Sequence, residues 1–100
     1  MDNPSDTKVF LNGHIDVPQD RLAAVREALP LHIDLTRAEA GCISFEVVED
    51  NATPGRFLVA EVFENQAAFD AHQTRTRSSD WFKVTEGIPR DYTITTSGTE

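Results

Sequence analysis

Glu61 stands in the middle of an apolar run, Arg56-Phe57-Leu58-Val59-Ala60-Glu61-Val62-Phe63. A carboxylate among such neighbours loses its water. It then needs a partner, or it holds its proton to a higher pH than usual. His72 lies on the next segment, three positions after Phe69, where both share one face of a helix. Imidazole titrates close to neutrality, and a histidine beside a glutamate is a tuned general base, able to take a phenolic proton. The same pair is equally readable as a hydrogen bond that ties a helix to a strand, since buried polar groups usually satisfy each other.

Other residues could complete a site. Asn12 and His14 share the even side of the segment Lys8–Val17 with Phe10. If that side borders a pocket, Asn12 can orient a substrate oxygen and His14 can act as a base; otherwise both meet polar partners at an interface or a sheet edge. Phe63, Trp81, Phe82 and Tyr92 could wall a flat aromatic pocket or pack as ordinary core, and the Tyr92 hydroxyl needs a partner or water. Arg77 is a candidate for an anionic substrate group, because guanidinium forks suit carboxylate and phosphate. Arg75 reads instead as a solvated cation at a helix end. His32, next to Pro30, is expected at the surface, and Cys42 as a small buried filler.

These residues need a frame of strands and helices. Val9, Leu11, Ile15 and Val17 alternate with Phe10, Asn12, His14 and Asp16, the period of a strand with one apolar face. Leu22, Val25, Leu29 and Ile33 form a helical stripe from about residue 20 to 39, with a kink or break expected at Pro30 and a left-handed cap at Gly41. Strands follow at 42–49, with Ile43, Phe45 and Val47 on one side, and at 56–63. A helix begins after the N-cap Asn65, a short one after Ser78-Ser79, and a last strand spans 91–95. The order β-α-β-β-α-β predicts an α+β ferredoxin-like domain over residues 1–100, an antiparallel sheet with its helices on one face and loose tails at 1–7 and 97–100.

Two helices cover one side of a four-stranded sheet. The strand 56–63 is apolar on both sides, so Phe57, Val59 and Phe63, with Phe10, are expected to face outward and to pair in a homodimer. The net charge of −8 argues against nucleic acid and anionic lipid as partners. No stretch has the length of apolar sequence a membrane span needs, and the N-terminus lacks a secretory pattern, which leaves a cytoplasmic protein as the expectation. One cysteine and three scattered histidines have no metal-ligand spacing, and the five glycines fit no nucleotide fingerprint, so neither a metal nor a cofactor is expected.

Glu39-Ala40-Gly41-Cys42-Ile43-Ser44-Phe45-Glu46, then Pro54-Gly55-Arg56 through Phe63, then Ala67-Ala68-Phe69-Asp70-Ala71-His72 resemble, in that order and spacing, the antibiotic biosynthesis monooxygenase (ABM) family. The resemblance runs from about Val9 to Ile94. It implies a dimeric α+β barrel. Activities in families of this kind, which the resemblance implies as candidates, include cofactor-free oxygenation of phenols to quinones, haem degradation and isomerisation of a phosphorylated sugar-like signal. Phe63 stands where haem-degrading members carry tryptophan. The expected activity is a cofactor-independent monooxygenase acting on a small phenol or hydroquinone with O2. His72 with Glu61 would be the base, Asn12 the oxygen contact, and Phe63, Trp81 and Tyr92 the walls. Two alternatives are a non-oxidative binding protein or isomerase for a polar or phosphorylated ligand, relying on Arg77 and His14, and a ligand-free module whose aromatic face is consumed by dimerisation.

Overall fold

The structure, a computed structural model, describes residues 7–96. The expected loose tails therefore lie outside the described residues, apart from Thr7. The chain forms β1 (Val9–Asp16), a 3-10 turn (Gln19–Arg21), α1 (Leu22–Arg37), β2 (Cys42–Glu49), β3 (Arg56–Phe63), α2 (Gln66–Thr76), α3 (Asp80–Val84) and β4 (Arg90–Thr96). The sheet runs β2-β3-β1-β4 with every neighbour antiparallel, the ferredoxin-like order. Asn65 caps α2 by accepting from the Ala68 amide, and Ser79 caps α3 by accepting from the Phe82 amide.

Register decides which side of each strand meets the helices. Val9 pairs with Phe63, Leu11 with Glu61, Gly13 with Val59 and Ile15 with Phe57. Directly opposed residues share a face, so Phe57, Val59, Glu61 and Phe63 join the buried side with Val9, Leu11 and Ile15. This corrects the expectation that Phe57, Val59 and Phe63 face outward: they are core, and Leu58, Ala60 and Val62 occupy the open face with Phe10. With both sides of β3 apolar, only pairing with β1 settles the matter. Ile43 also departs from its expected side. A register shift between Cys42 and Ser44 turns it outward, while Phe45 and Val47 stay inside.

α1 continues through Pro30, which lies on its exposed side, where the carbonyl left without an N–H partner is open to solvent. Gly41 is not left-handed; among the described residues only Gly55 and Gly87 have positive φ. Its need is space, because a Cβ there would come within 2.3 Å of the Ala68 Cβ. The Glu64 amide bonds the Gly41 carbonyl at 2.9 Å, and Arg37 donates to the Phe45 carbonyl at 2.9 and 3.1 Å. These contacts lock the α1–β2 turn against α2. Gly13 has a related role. A Cβ on it would sit 2.0 Å from the Asp91 carbonyl oxygen and 2.8 Å from the Tyr92 ring, so the missing side chain lets Tyr92 lie across β1.

Candidate active site between the sheet and the helices

The locked turn carries Glu39 to α2. Its carboxylate accepts from His72 Nδ1 at 3.1 and 3.2 Å and from Arg75 Nε, and Arg75 Nη2 reaches the Thr36 hydroxyl at 2.9 Å. Arg75 is thus held in an ion pair and is not the solvated cap expected from the sequence. Burial pushes the His72 pKa below its usual value, against the opposing pull of Glu39, so the ring is neutral at pH 7. With Nδ1–H committed to Glu39, the lone pair is on Nε2. That atom has Thr76 Oγ1 at 3.4 Å and Glu61 Oε1 at 3.9 Å. The expected hydrogen-bonded His72–Glu61 pair is therefore absent. Glu39 is the partner, and Glu61 faces the ring across a gap.

Glu61 is only 7% exposed, and its Oε1 has no hydrogen-bond partner among the described residues. Burial, reinforced by the nearby Glu39 charge, raises its pKa to about 7. His32 is buried too, at 5% exposure, which corrects its expected surface position. Seven residues beyond Val25 and four before Thr36, it falls on the inner face of α1. Its ring stacks on Trp81, 4.9 Å between centroids and 4° between planes, and meets Phe45 edge-on at 5.3 Å. Nδ1 is unpartnered, and burial first, then the charges of His72 and Arg75, lower the pKa to about 3. Tyr92 stays protonated: burial, then Glu61, pushes its pKa up to about 12.

These groups border a cavity of about 240 Å³. His72, Glu61, Trp81, Tyr92 and Arg77 line it as a set, along with Arg90 and His32, which sequence reasoning did not assign to a site. Phe63 does not line it. It packs behind, 4.8 Å from the His72 ring and 5.6 Å from Phe69. Asn12 and His14 are on the other face of the sheet, because the alternation that turns Leu11 inward turns them outward. Asn12 is exposed there, and His14 lies 3.7 Å from Asp91 and 3.9 Å from Asp16. Cys42 is half-buried, and burial raises its thiol pKa. A larger open groove of about 550 Å³ uses a different side of α2, but its Glu39 and Arg75 are already bonded to each other. The smaller cavity is lined by both residues with unsatisfied polar atoms, Glu61 and His32, and is the better candidate for chemistry.

The chain is thus a ferredoxin-like α+β domain whose cavity joins aromatic walls to a carboxylate-oriented imidazole. The family model described as antibiotic biosynthesis monooxygenase matches residues 9–84, and the chain belongs to that family. An uncharacterized protein of Synechocystis, sll1783, is 34% identical over 68 residues, which cover 68% of this chain and 46% of that protein. The chain thus spans about half the length of this relative. The structure of Rv0793 from Mycobacterium tuberculosis superposes with a TM-score of 0.71 at 24% identity, over 93% of this chain and 97% of the other, which shows the shared fold. A candidate antibiotic biosynthesis monooxygenase from Deinococcus radiodurans superposes with a TM-score of 0.69 at 28% identity, over 92% of each chain. Among the described residues no helix is long and apolar enough to cross a membrane.

Proposed function

We propose that the protein oxygenates a small phenol or hydroquinone with O2 without a cofactor. The observation that carries this reading is the Glu39–His72 pair, with an unprotonated Nε2 held by Thr76 and facing Glu61 in an aromatic-walled cavity. Triplet oxygen reacts slowly with paired-electron molecules, but a phenolate can give it one electron. His72 Nε2 takes the phenolic proton, and Glu39 steadies the imidazolium that results. The phenolate passes an electron to O2, and the two radicals combine in a carbon–oxygen bond at a ring C–H. The imidazolium protonates the distal oxygen. Glu61 then removes the ring proton as the O–O bond breaks and hydroxide leaves, and the Glu61 proton completes a water molecule. A phenol and O2 thus become a quinone and water, with no outside reductant. Tyr92, protonated throughout, is a donor for the oxyanion.

Oxygen uptake with a panel of phenols and hydroquinones tests the reading. Uptake above the buffer rate is expected, and His72→Ala is expected to lower it about 10²–10⁴-fold. No uptake with any member of the panel would remove the proposal.

The same reading takes the protein as a homodimer through the open face of its sheet. Leu58 is 42% and Val48 51% exposed, and they pair directly across β3 and β2. Phe10 and Val62 pair beside them. Apolar side chains gathered on one face mark a surface that another chain covers.

A further inference from the structure

Resting on the phenol reading above, we infer that the ligand is a single-ring phenol bearing a carboxylate, which Arg77 and Arg90 receive. The chain has seven arginines. Arg26, Arg37, Arg56 and Arg75 each pair with a carboxylate, and Arg21 donates to the Val84 carbonyl at 2.6 Å. The other two, Arg77 and Arg90, are in no ion pair among the described residues, and both line the cavity. Arg77 has one hydrogen bond, to Thr74 Oγ1 at 3.3 Å. Arg90 is oriented by Thr85 Oγ1 at 3.0 Å and by the Phe82 ring, whose centroid is 5.6 Å from its guanidinium carbon.

Two unneutralised guanidiniums at one cavity are notable in a chain of net charge −8, which otherwise repels anions. Guanidinium forks match planar carboxylates in charge and shape. The same lining also holds acceptors. There Glu61 and the His72 Nε2 lone pair accept a proton and call for a hydroxyl. Trp81 and Phe82 add flat apolar surface to the lining. The volume of about 240 Å³ is below the roughly 300 Å³ at which ordinary ligand pockets begin, which favours one ring over several.

Trp81 is the only tryptophan and lines the cavity, so its fluorescence reports binding directly. The full chain is titrated without oxygen with 2,5-dihydroxybenzoate, hydroquinone, benzoate and phenyl phosphate. The inference expects 2,5-dihydroxybenzoate to bind at least about tenfold more tightly than hydroquinone, the scale of a charge-assisted contact. The advantage should shrink as salt rises. Arg77→Gln should remove most of it and Arg77→Lys only part, with melting curves confirming that both variants fold. Equal affinity for 2,5-dihydroxybenzoate and hydroquinone would overturn the inference and leave the phenol reading intact. Tighter binding of phenyl phosphate would overturn the choice of carboxylate. Benzoate binding as well as 2,5-dihydroxybenzoate, with hydroquinone silent, would keep the anion site and remove the phenol. Binding by none of the four would remove both.

Discussion

Each face of the sheet carries a few side chains of the opposite kind to its surroundings. The face under the helices encloses Glu61, His72, His32 and Thr36 with its apolar core, whereas the open face presents Leu58, Val48 and Phe10. Polar groups inside cost stability unless fully paired. Thr36, Arg75, Glu39 and His72 form a continuous chain of bonds, but Glu61 Oε1 and His32 Nδ1 have no partner. The contrast separates what holds the site in shape from what is left available to a ligand. On the open face the apolar patch around Leu58 lies among polar neighbours such as Asn12, Ser44 and Glu46, and the proposed dimer would cover it.

The largest effect on stability is expected from Glu61→Gln. The folded pKa of Glu61 is about 7 against an ordinary 4.5, so the native state holds a proton that the unfolded chain has lost. The wild type therefore loses stability as pH rises from about 4.5 to about 7, by about 3 kcal/mol in all. Urea denaturation should find Glu61→Gln more stable than wild type by roughly that amount at about pH 8, with the gap closing towards pH 4.

Glu39→Gln should come next. It removes the charge facing both Arg75 and His72 and is expected to cost about 2 kcal/mol, below the range for fully buried pairs because Glu39 and Arg75 are partly exposed. The same variant should lower the rate of oxygen uptake, by weakening the imidazolium. A melting curve and an oxygen electrode together separate the two effects.

Leu58→Asp probes the other face. It should leave the cavity intact and shift sedimentation equilibrium at low micromolar concentration towards an 11.1 kDa species. A wild type already sedimenting at that mass would remove the dimer.

The smallest effect at pH 7 belongs to His32→Phe, which keeps a flat ring on Trp81 and deletes the unpaired nitrogen. A change within about 1 kcal/mol is expected there. The difference should grow in acid. The folded pKa of His32, about 3, lies below the unfolded 6.5, so the wild type loses stability as pH falls from 6.5 towards 3. The variant lacks that loss.

Local chemistry was readable from the sequence, and tertiary pairing was not. The bounds of β3 and the caps Asn65 and Ser79 follow from neighbouring residues alone. The side that β3 buries does not, since its alternation offers two apolar faces and a one-residue change of register would exchange them. His72 and Glu61 drew notice because each is polar among apolar neighbours. Glu39 did not, because its bond to His72 spans 33 residues and depends on the turn at Gly41. The signal for His32 was present: the helical period that selects Val25 and Thr36 also selects it. The neighbouring Pro30 and the polar ring pointed the other way.

The most direct test of the central claim is the pH profile of oxygen uptake with hydroquinone, from about pH 5 to about pH 8, for wild type, Glu61→Gln and His72→Ala. If the site works through an oriented imidazole and a carboxylate titrating near pH 7, wild-type kcat/KM rises through an inflection there. Glu61→Gln then loses the inflection, and His72→Ala falls to the buffer rate across the range. Uptake that keeps the same rate and the same inflection in both variants would contradict the assignment of this cavity as the reaction site.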